Sequence, residues 1–353
     1  MTTQSPALYP AFPVELLDEI CQQCDQRRAL LDLQLANSHL RPIAQRVLYR
    51  SITDISPSSM VSLFRSLCSS QITPRLVREL AIDWQMTCPT GNLYRLVNRT
   101  LRRLTFLKVL SIEPFRGRCD YRLVRMLDGC TFRLERLATS IPCDDNLAEF
   151  LNKQPLLREL DLHGHCLLSD SGSPLSPLAL PQLASFRAVH AGPDLIERFV
   201  RGRPVRNVSL SLYPSQGLTS FYAIMQSTSP LVRLTIMSFE LEPRFELLLR
   251  ETARYMPSLQ ALHIVELQAS YNTDMLLAAA PLLEYLPELR YITLISAGQE
   301  MDEAAERSVA IQWSKANPSI RTIILPRGKG WFQRDGAWLC WNDSSVVISS
   351  SRR

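Results

Sequence analysis

Leu157-Arg158-Glu159-Leu160-Asp161-Leu162 sets an apolar residue, two variable ones, a second apolar residue, one variable and a third apolar residue. The spacing returns at Val77-Leu80-Ile82, Leu107-Leu110-Ile112, Val205-Val208-Leu210, Leu231-Leu234-Ile236, Leu259-Leu262-Ile264, Leu289-Ile292-Leu294 and Ile320-Ile323-Leu325. Weaker copies at Leu134-Leu137-Thr139 and Leu183-Phe186-Ala188 bring the total to ten, with central residues 22 to 31 positions apart. A period of that size marks stacked copies of one supersecondary unit. Such a solenoid offers a long surface to another macromolecule and has no inherent catalytic pocket.

Helical segments are expected between the strands, at Asn92 to Phe106, Asp144 to Gln154, Asp194 to Arg203, Pro243 to Tyr255 and Asp274 to Leu286. Gln154-Pro155, Met256-Pro257, Leu286-Pro287 and Asn317-Pro318 mark helix-to-strand joints, because a residue before proline is pushed out of the helical region. The fold class is therefore α/β, with a parallel sheet lining a curved stack over residues 53–326. In this it is similar to the leucine-rich repeat fold.

The totals fit that reading. The chain has 353 residues, 46% of them hydrophobic and 21% charged, and a net charge of +5. No stretch reaches the roughly 18 uninterrupted apolar residues of a membrane span. The start, Met1-Thr2-Thr3-Gln4-Ser5-Pro6, lacks a secretion signal, and nine scattered cysteines fit a reducing compartment. The expected location is cytoplasm or nucleus, with no membrane partner. Between Arg95 and Arg136 eleven basic residues face four acidic ones, a local +7 that reads first as a solvated convex helix face. Few aromatics interleave with these arginines, so a nucleic-acid partner is not expected.

Residues 12–52 differ from the rest. Pro13 opens a helix in which Leu16, Leu17, Ile20 and Cys24 form the expected buried face. A second apolar series runs Leu30, Leu31, Leu33, Leu35, and a third Leu40, Ile43, Ala44, Val47, Leu48, Tyr49. Three helices this short bury little surface, so a partner or neighbouring domain is expected to cover one face.

Phe12-Pro13-x-Glu15-Leu16-Leu17-x-x-Ile20, the Leu30–Leu35 run, and Leu40-x-x-Ile43-Ala44-x-x-x-Leu48-Tyr49-Arg50 together resemble an F-box. Phe12 stands where that family most often has leucine, and Ala36-Asn37 where Val-Ser or Val-Cys is usual. The resemblance covers about forty residues of the 353. It implies a substrate receptor of an SCF-type ubiquitin ligase, docked on a Skp adaptor that links to a cullin scaffold. Phe12, Pro13, Glu15, Leu16 and Ile20 would carry the adaptor contact, with Leu40 and Ile43 supporting it.

Side chains alternate along a strand, so the variable positions of each repeat face outward. The first four repeats place Glu79, Asp83, Glu113, Glu159 and Asp161 there against Arg136, beside His163. Later repeats are neutral or apolar, with Arg187, Arg233, His263 and Tyr291 among Met237, Val265 and Ile295. Glu113, Glu159, Asp161, His163, Arg187, Arg233, His263 and Tyr291 are the candidate contacts on a concave face for a protein target. That face is expected to grip a basic segment near the middle repeats and an apolar one further along. The asparagine that normally follows the strand in the family is missing. Gln85, Phe115, Pro142, His165, Ala191, Tyr213, Phe239, Leu267 and Ala297 stand there, so irregular turns are expected. Cys166 to Pro181 reads as a long loop, favoured as a surface insertion.

The pattern breaks after Leu325. A cap over 327–346 is expected, a hairpin of Trp331 to Asp335 and Trp338 to Trp341 whose three tryptophans seal the last repeat. Disordered tails are expected at 1–11 and 347–353. Cys21-x-x-Cys24 has no second pair, His163-Gly164-His165-Cys166 lacks a fourth ligand, and Gly328-Lys329-Gly330 lacks the P-loop spacing. Neither an enzyme nor a metal or other cofactor is expected. The alternatives to a ligase adaptor are a leucine-rich interaction scaffold without a ubiquitin link and, less favoured, a nucleic-acid-associated protein.

Overall fold

The computed structural model describes residues 13–24, 26–53, 55–84, 91–113, 124–164, 175–189, 191–213, 218–239, 244–296, 302–326, 328–334 and 336–341. Phe12, the two tails, His165, Cys166 and most of the 166–181 loop lie outside these residues, as do Gln85, Phe115 and Ala297. The chain divides into two compact units, Met1–Ile141 and Pro142–Arg353.

The first unit opens with three helices, α1 (Val14–Gln22), α2 (Arg27–Ala36) and α3 (Leu40–Arg50). The Pro13 carbonyl, at the entry to α1, accepts from the N–H groups of Leu16 at 3.1 Å and Leu17 at 3.2 Å. Cys21, Leu30, Ile43 and Ala44 are buried together, and Leu17, Cys24, Leu33, Val47 and Leu48 pack on them. The expected buried face of α1 is thus corrected. Leu17, Cys21 and Cys24 form its inner stripe, whereas Leu16 and Ile20 are half exposed, at 51% and 52%. Both stripes have helical spacing, and the smaller Cys21 brings α1 closer to the core than Ile20 would.

The next two residues already belong to a sheet. β1 (Ser51–Ile52) runs parallel to β2 (Glu79–Asp83), which pairs with β3 (Val109–Glu113), itself paired with β4 (Arg136–Thr139). On the other side lie α4 (Pro57–Ser69), α5 (Thr73–Leu76), α6 (Gly91–Leu101) and a 3₁₀ turn at Val124–Leu127. Pro57 takes the first turn of α4, and the Ser56 hydroxyl caps it by accepting from the Ser59 N–H. The helix expected to reach Phe106 stops at Leu101, and Arg102-Arg103 form a turn.

The second unit continues the alternation. It comprises α7 (Asp145–Asn152), β5 (Glu159–Leu162), β6 (Ser185–Ala188), α8 (Pro193–Val200) and β7 (Asn207–Leu212). Then come α9 (Thr219–Ala223), β8 (Arg233–Ser238), α10 (Phe245–Tyr255), β9 (Ala261–Glu266) and α11 (Thr273–Ala278). Last are β10 (Tyr291–Ser296), α12 (Glu303–Ala316) and β11 (Thr322–Ile324). Strands β5 to β11 are parallel neighbours in chain order. The helix expected over Asp274 to Leu286 breaks into α11 and a 3₁₀ segment, Ala280–Tyr285, where Pro281 cannot donate to a continuing helix.

Every one of the ten apolar triplets is buried, down to Thr139 and Ala188 in the weak copies. Each strand therefore contributes two inward side chains, and the residue before it closes the joint. Truncating one of the fully buried leucines, such as Leu234, costs about 2–5 kcal/mol by loss of transfer energy and creation of a cavity.

Side chains tie neighbouring repeats together in two ways. At the strand exits Tyr213 and Phe239 stack, with centroids 5.1 Å apart, and the Tyr213 hydroxyl donates to the Val189 carbonyl at 3.0 Å. At the joints before the strands, side chains tie one repeat to the next. The Asn317 amide donates to the carbonyls of Leu286 at 2.7 Å and Leu283 at 3.1 Å. Arg203, buried and without a carboxylate partner among the described residues, donates to the carbonyls of Arg198, Ala179, Ser176 and Arg201 at 2.6, 2.8, 3.1 and 3.2 Å. Over the described part of the Cys166 to Pro181 loop, Ser176, Pro177, Leu178 and Pro181 are exposed, as expected of a surface insertion, while Leu175, Ala179 and Leu180 anchor it from within and Arg203 donates to the carbonyls of Ser176 and Ala179. Leu180 takes φ 57°, a left-handed conformation that its buried side chain and this clamp maintain.

β12 (Gly330–Arg334) and β13 (Ala337–Trp341) form an antiparallel hairpin against β11, with Gly336 at φ 80° in the turn. Trp331 and Trp338 are buried, but Trp341 is 62% exposed, so two tryptophans rather than three close the end. The Trp331 indole N–H donates to the Glu306 carboxylate at 3.2 Å. Among the described residues no helix is long and apolar enough to cross a membrane.

Candidate functional site

Two surfaces gather the residues singled out from the sequence. The first is the outer side of the three-helix module. Pro13 and Glu15 are exposed at the start of α1, and Leu16 and Ile20, one turn apart, follow on the same face. Val14 on α1 and the pair Leu31 and Leu35 on α2, which the sequence placed only in an apolar series, are exposed as well. Both helices pack on α3 with their inner stripes, and these apolar side chains lie outside that core. Leu40 is half-buried at the start of α3. Ile43 is a core residue, 5% exposed, and supports the face from beneath instead of contributing to it. An ion pair locks α1 to α3: Arg46 approaches Asp18 to 2.6 Å and holds its carboxyl below the usual carboxylate range.

The CxxC motif sits under this surface. Cys21 is buried, and burial pushes its thiol up in pKa, away from the thiolate that metal binding or redox chemistry requires. The Cys24 thiol donates to the Ile20 carbonyl at 3.3 Å.

The second surface is the outward face of the strands. In the first unit its carboxylates are already engaged. Ser51 donates to Glu79 at 2.9 Å, and the Ser140 hydroxyl donates to Glu113. In the second unit Asp161 lies 2.8 Å from His163 Nε2 and 3.6 Å from Arg187, its register partner on β6. The acidic half of the face is thus largely compensated from within the chain, which leaves Glu159 as its exposed carboxylate in the second unit.

Across β7 to β10 the register sets out three rows. Asn207, Arg233, Ala261 and Tyr291 align, then Ser209, Thr235, His263 and Thr293, then Ser211, Met237, Val265 and Ile295. Ser211, Ala261 and Thr293, at variable strand positions and so expected to face outward, are buried, while Arg233, Tyr291 and Ile295 are exposed. His263 Nδ1 lies 2.9 Å from the Thr293 hydroxyl. Burial first, and the Arg233 charge second, lower the pKa of this histidine, so it stays neutral at pH 7. Arg233 is then the cation of the patch, next to the apolar row and the Tyr291 ring. Such a mixture of exposed apolar, aromatic and arginine side chains is what protein contact surfaces concentrate.

No protein-family model matches the chain, and no curated protein is significantly similar to it.

Proposed function

We propose that the protein is a substrate-recognition adaptor of an SCF-type ubiquitin ligase, whose F-box-like helices dock on a Skp adaptor while the strand face binds a protein target. The observation that carries this reading is the unpartnered apolar surface of α1 and α2, where Val14, Leu16, Ile20, Leu31 and Leu35 stand exposed on helices too short to bury them. An exposed apolar patch on a small helical unit marks a contact surface. The target side is Arg233 with Met237, Val265, Ile295 and Tyr291, more than the compensated carboxylates of the earlier repeats.

Co-expression with a Skp adaptor and size-exclusion chromatography tests the first half. A co-eluting complex is expected, and Leu16→Asp with Ile20→Asp is expected to abolish it without lowering the melting temperature, since both side chains are half exposed. Separate elution of the wild-type chain would leave the second reading, a protein-binding scaffold without a ubiquitin link, which the apolar and arginine-bearing strand face supports by itself.

A further inference from the structure

The helix side of the first unit carries a charge pattern that adaptor docking does not use. From Pro57 to Arg78 and from Gly91 to Lys108 there are eight basic residues and no acidic one. Glu79, Asp83 and Glu113 lie on the strands, and Asp128, directly after the 3₁₀ turn, is the exposed carboxylate beside this face among the described residues. Helix α6 packs between α4 and the 3₁₀ turn at Val124–Leu127. On these three neighbours Arg65, Arg95, Arg99, Arg102 and Arg125 are exposed, and among the described residues none of them forms an ion pair. Arg95, Arg99 and Arg102 follow one another at helical spacing and form a single stripe along α6 and the turn that ends it.

What surrounds the arginines narrows the partner. The exposed residues of α4 besides Arg65 are serines, and the exposed neighbour on α6 is Asn92. Neither helix exposes a large apolar side chain; Ile72 and Phe106, exposed in the segments that follow α4 and α6, lie outside the arginine stripe. A protein partner needs apolar or aromatic anchors at the centre of its contact, and a lipid surface needs an apolar face to insert. A single-stranded nucleic acid needs aromatic rings for stacking. Arginine with serine and asparagine is instead the set that holds phosphates along a nucleic-acid backbone, and arginine does so bidentately. We infer that this face of α4, α6 and the following turn binds the phosphate backbone of a duplex nucleic acid, without reading its sequence.

Fluorescence anisotropy of the full chain with labelled 20-base-pair DNA and RNA duplexes tests this. Five phosphate contacts give a slope of about −4.5 in log affinity against log salt, a fall on the order of 500-fold between 50 and 200 mM KCl. Arg95→Gln with Arg99→Gln, both exposed and so not expected to alter the melting temperature, should reduce the slope to about −3 and weaken binding at least roughly ten-fold at 50 mM. Arg95→Lys with Arg99→Lys should retain the slope, and Arg250→Gln with Arg254→Gln on the exposed side of α10 should leave duplex binding unchanged. Absence of binding at 50 mM, a slope near zero, indifference to the α6 glutamines, or tighter capture of polyglutamate or phosphatidylserine vesicles than of either duplex would overturn the inference.

Discussion

Removing the guanidinium of Arg203 takes a donor from four carbonyls at once, those of Ser176, Ala179, Arg198 and Arg201. Burial already lowers the pKa of this arginine, and among the described residues its guanidinium is met by main-chain carbonyls. Charge-assisted hydrogen bonds of this kind contribute about 1.5–3 kcal/mol, and the orphaned carbonyls add a desolvation cost. Arg203→Ala is therefore expected to destabilise the protein by roughly 3 kcal/mol in urea unfolding, and Arg203→Lys to recover only part of it, since an ammonium lacks the planar fork. A loss within about 0.5 kcal/mol of wild type would contradict the clamp. Nothing in the sequence around Arg203 announces this role. Its acceptors Ser176 and Ala179 stand 27 and 24 residues earlier and are main-chain groups, which carry no side-chain signature. Asn317 is as silent, for the same reason. By contrast Leu80, Leu160 or Ile264 could be placed from spacing alone, because a buried strand face imposes period-two alternation on the residues themselves.

At the scale of elements, the ten strands fall where the triplets put them, and the helices stop near the X-Pro joints. Beyond the two shortened helices, β1 and the inner stripe of α1 escaped as well. β1 is two residues long, too short for a periodic pattern, and pairs only because α3 delivers it beside β2. The inner stripe of α1 was ambiguous because Leu16, Leu17, Ile20 and Cys21 make two apolar stripes side by side, and only the packing against α3 chooses between them. The Asp18–Arg46 pair that fixes this choice has a pH signature. The pKa of Asp18 is lowered in the fold from an ordinary 3.8, with the Arg46 hydrogen bond as the first cause. Its contribution is therefore complete above that ordinary value and is lost as pH falls through the lowered one. The helical module is expected to loosen below about pH 4, seen as greater amide exchange in α1 during a short acid pulse. Asp18→Asn should flatten that dependence, and an unchanged acid response in the variant would assign it to other carboxylates.

At the scale of the whole molecule, repeats contact mainly their sequence neighbours, so each end of a stack exposes a strand edge that something must cover. The sequence showed a hairpin rich in tryptophan at the right place, but not that Trp341 would stay in solvent or that Glu306, a charged residue in α12, would be buried to receive the Trp331 indole. A buried carboxylate is invisible to hydropathy patterns because its partner lies 25 residues on. The hairpin supplies the backbone partners of Thr322 to Ile324 and the cover of α12, whose inner side carries Val309, Ala310 and Trp313. A chain ending at Pro326 would present β11 as an open parallel edge and leave Glu306 buried without its donor. Such a truncation is expected to melt at lower temperature and to elute as concentration-dependent oligomers in size-exclusion chromatography. Trp331→Phe keeps the edge covered but removes the indole N–H, so it should destabilise by about 1–3 kcal/mol while remaining unassociated. If both variants destabilised equally and neither associated, the hairpin would act through the Glu306 bond and not as a cover for the strand edge.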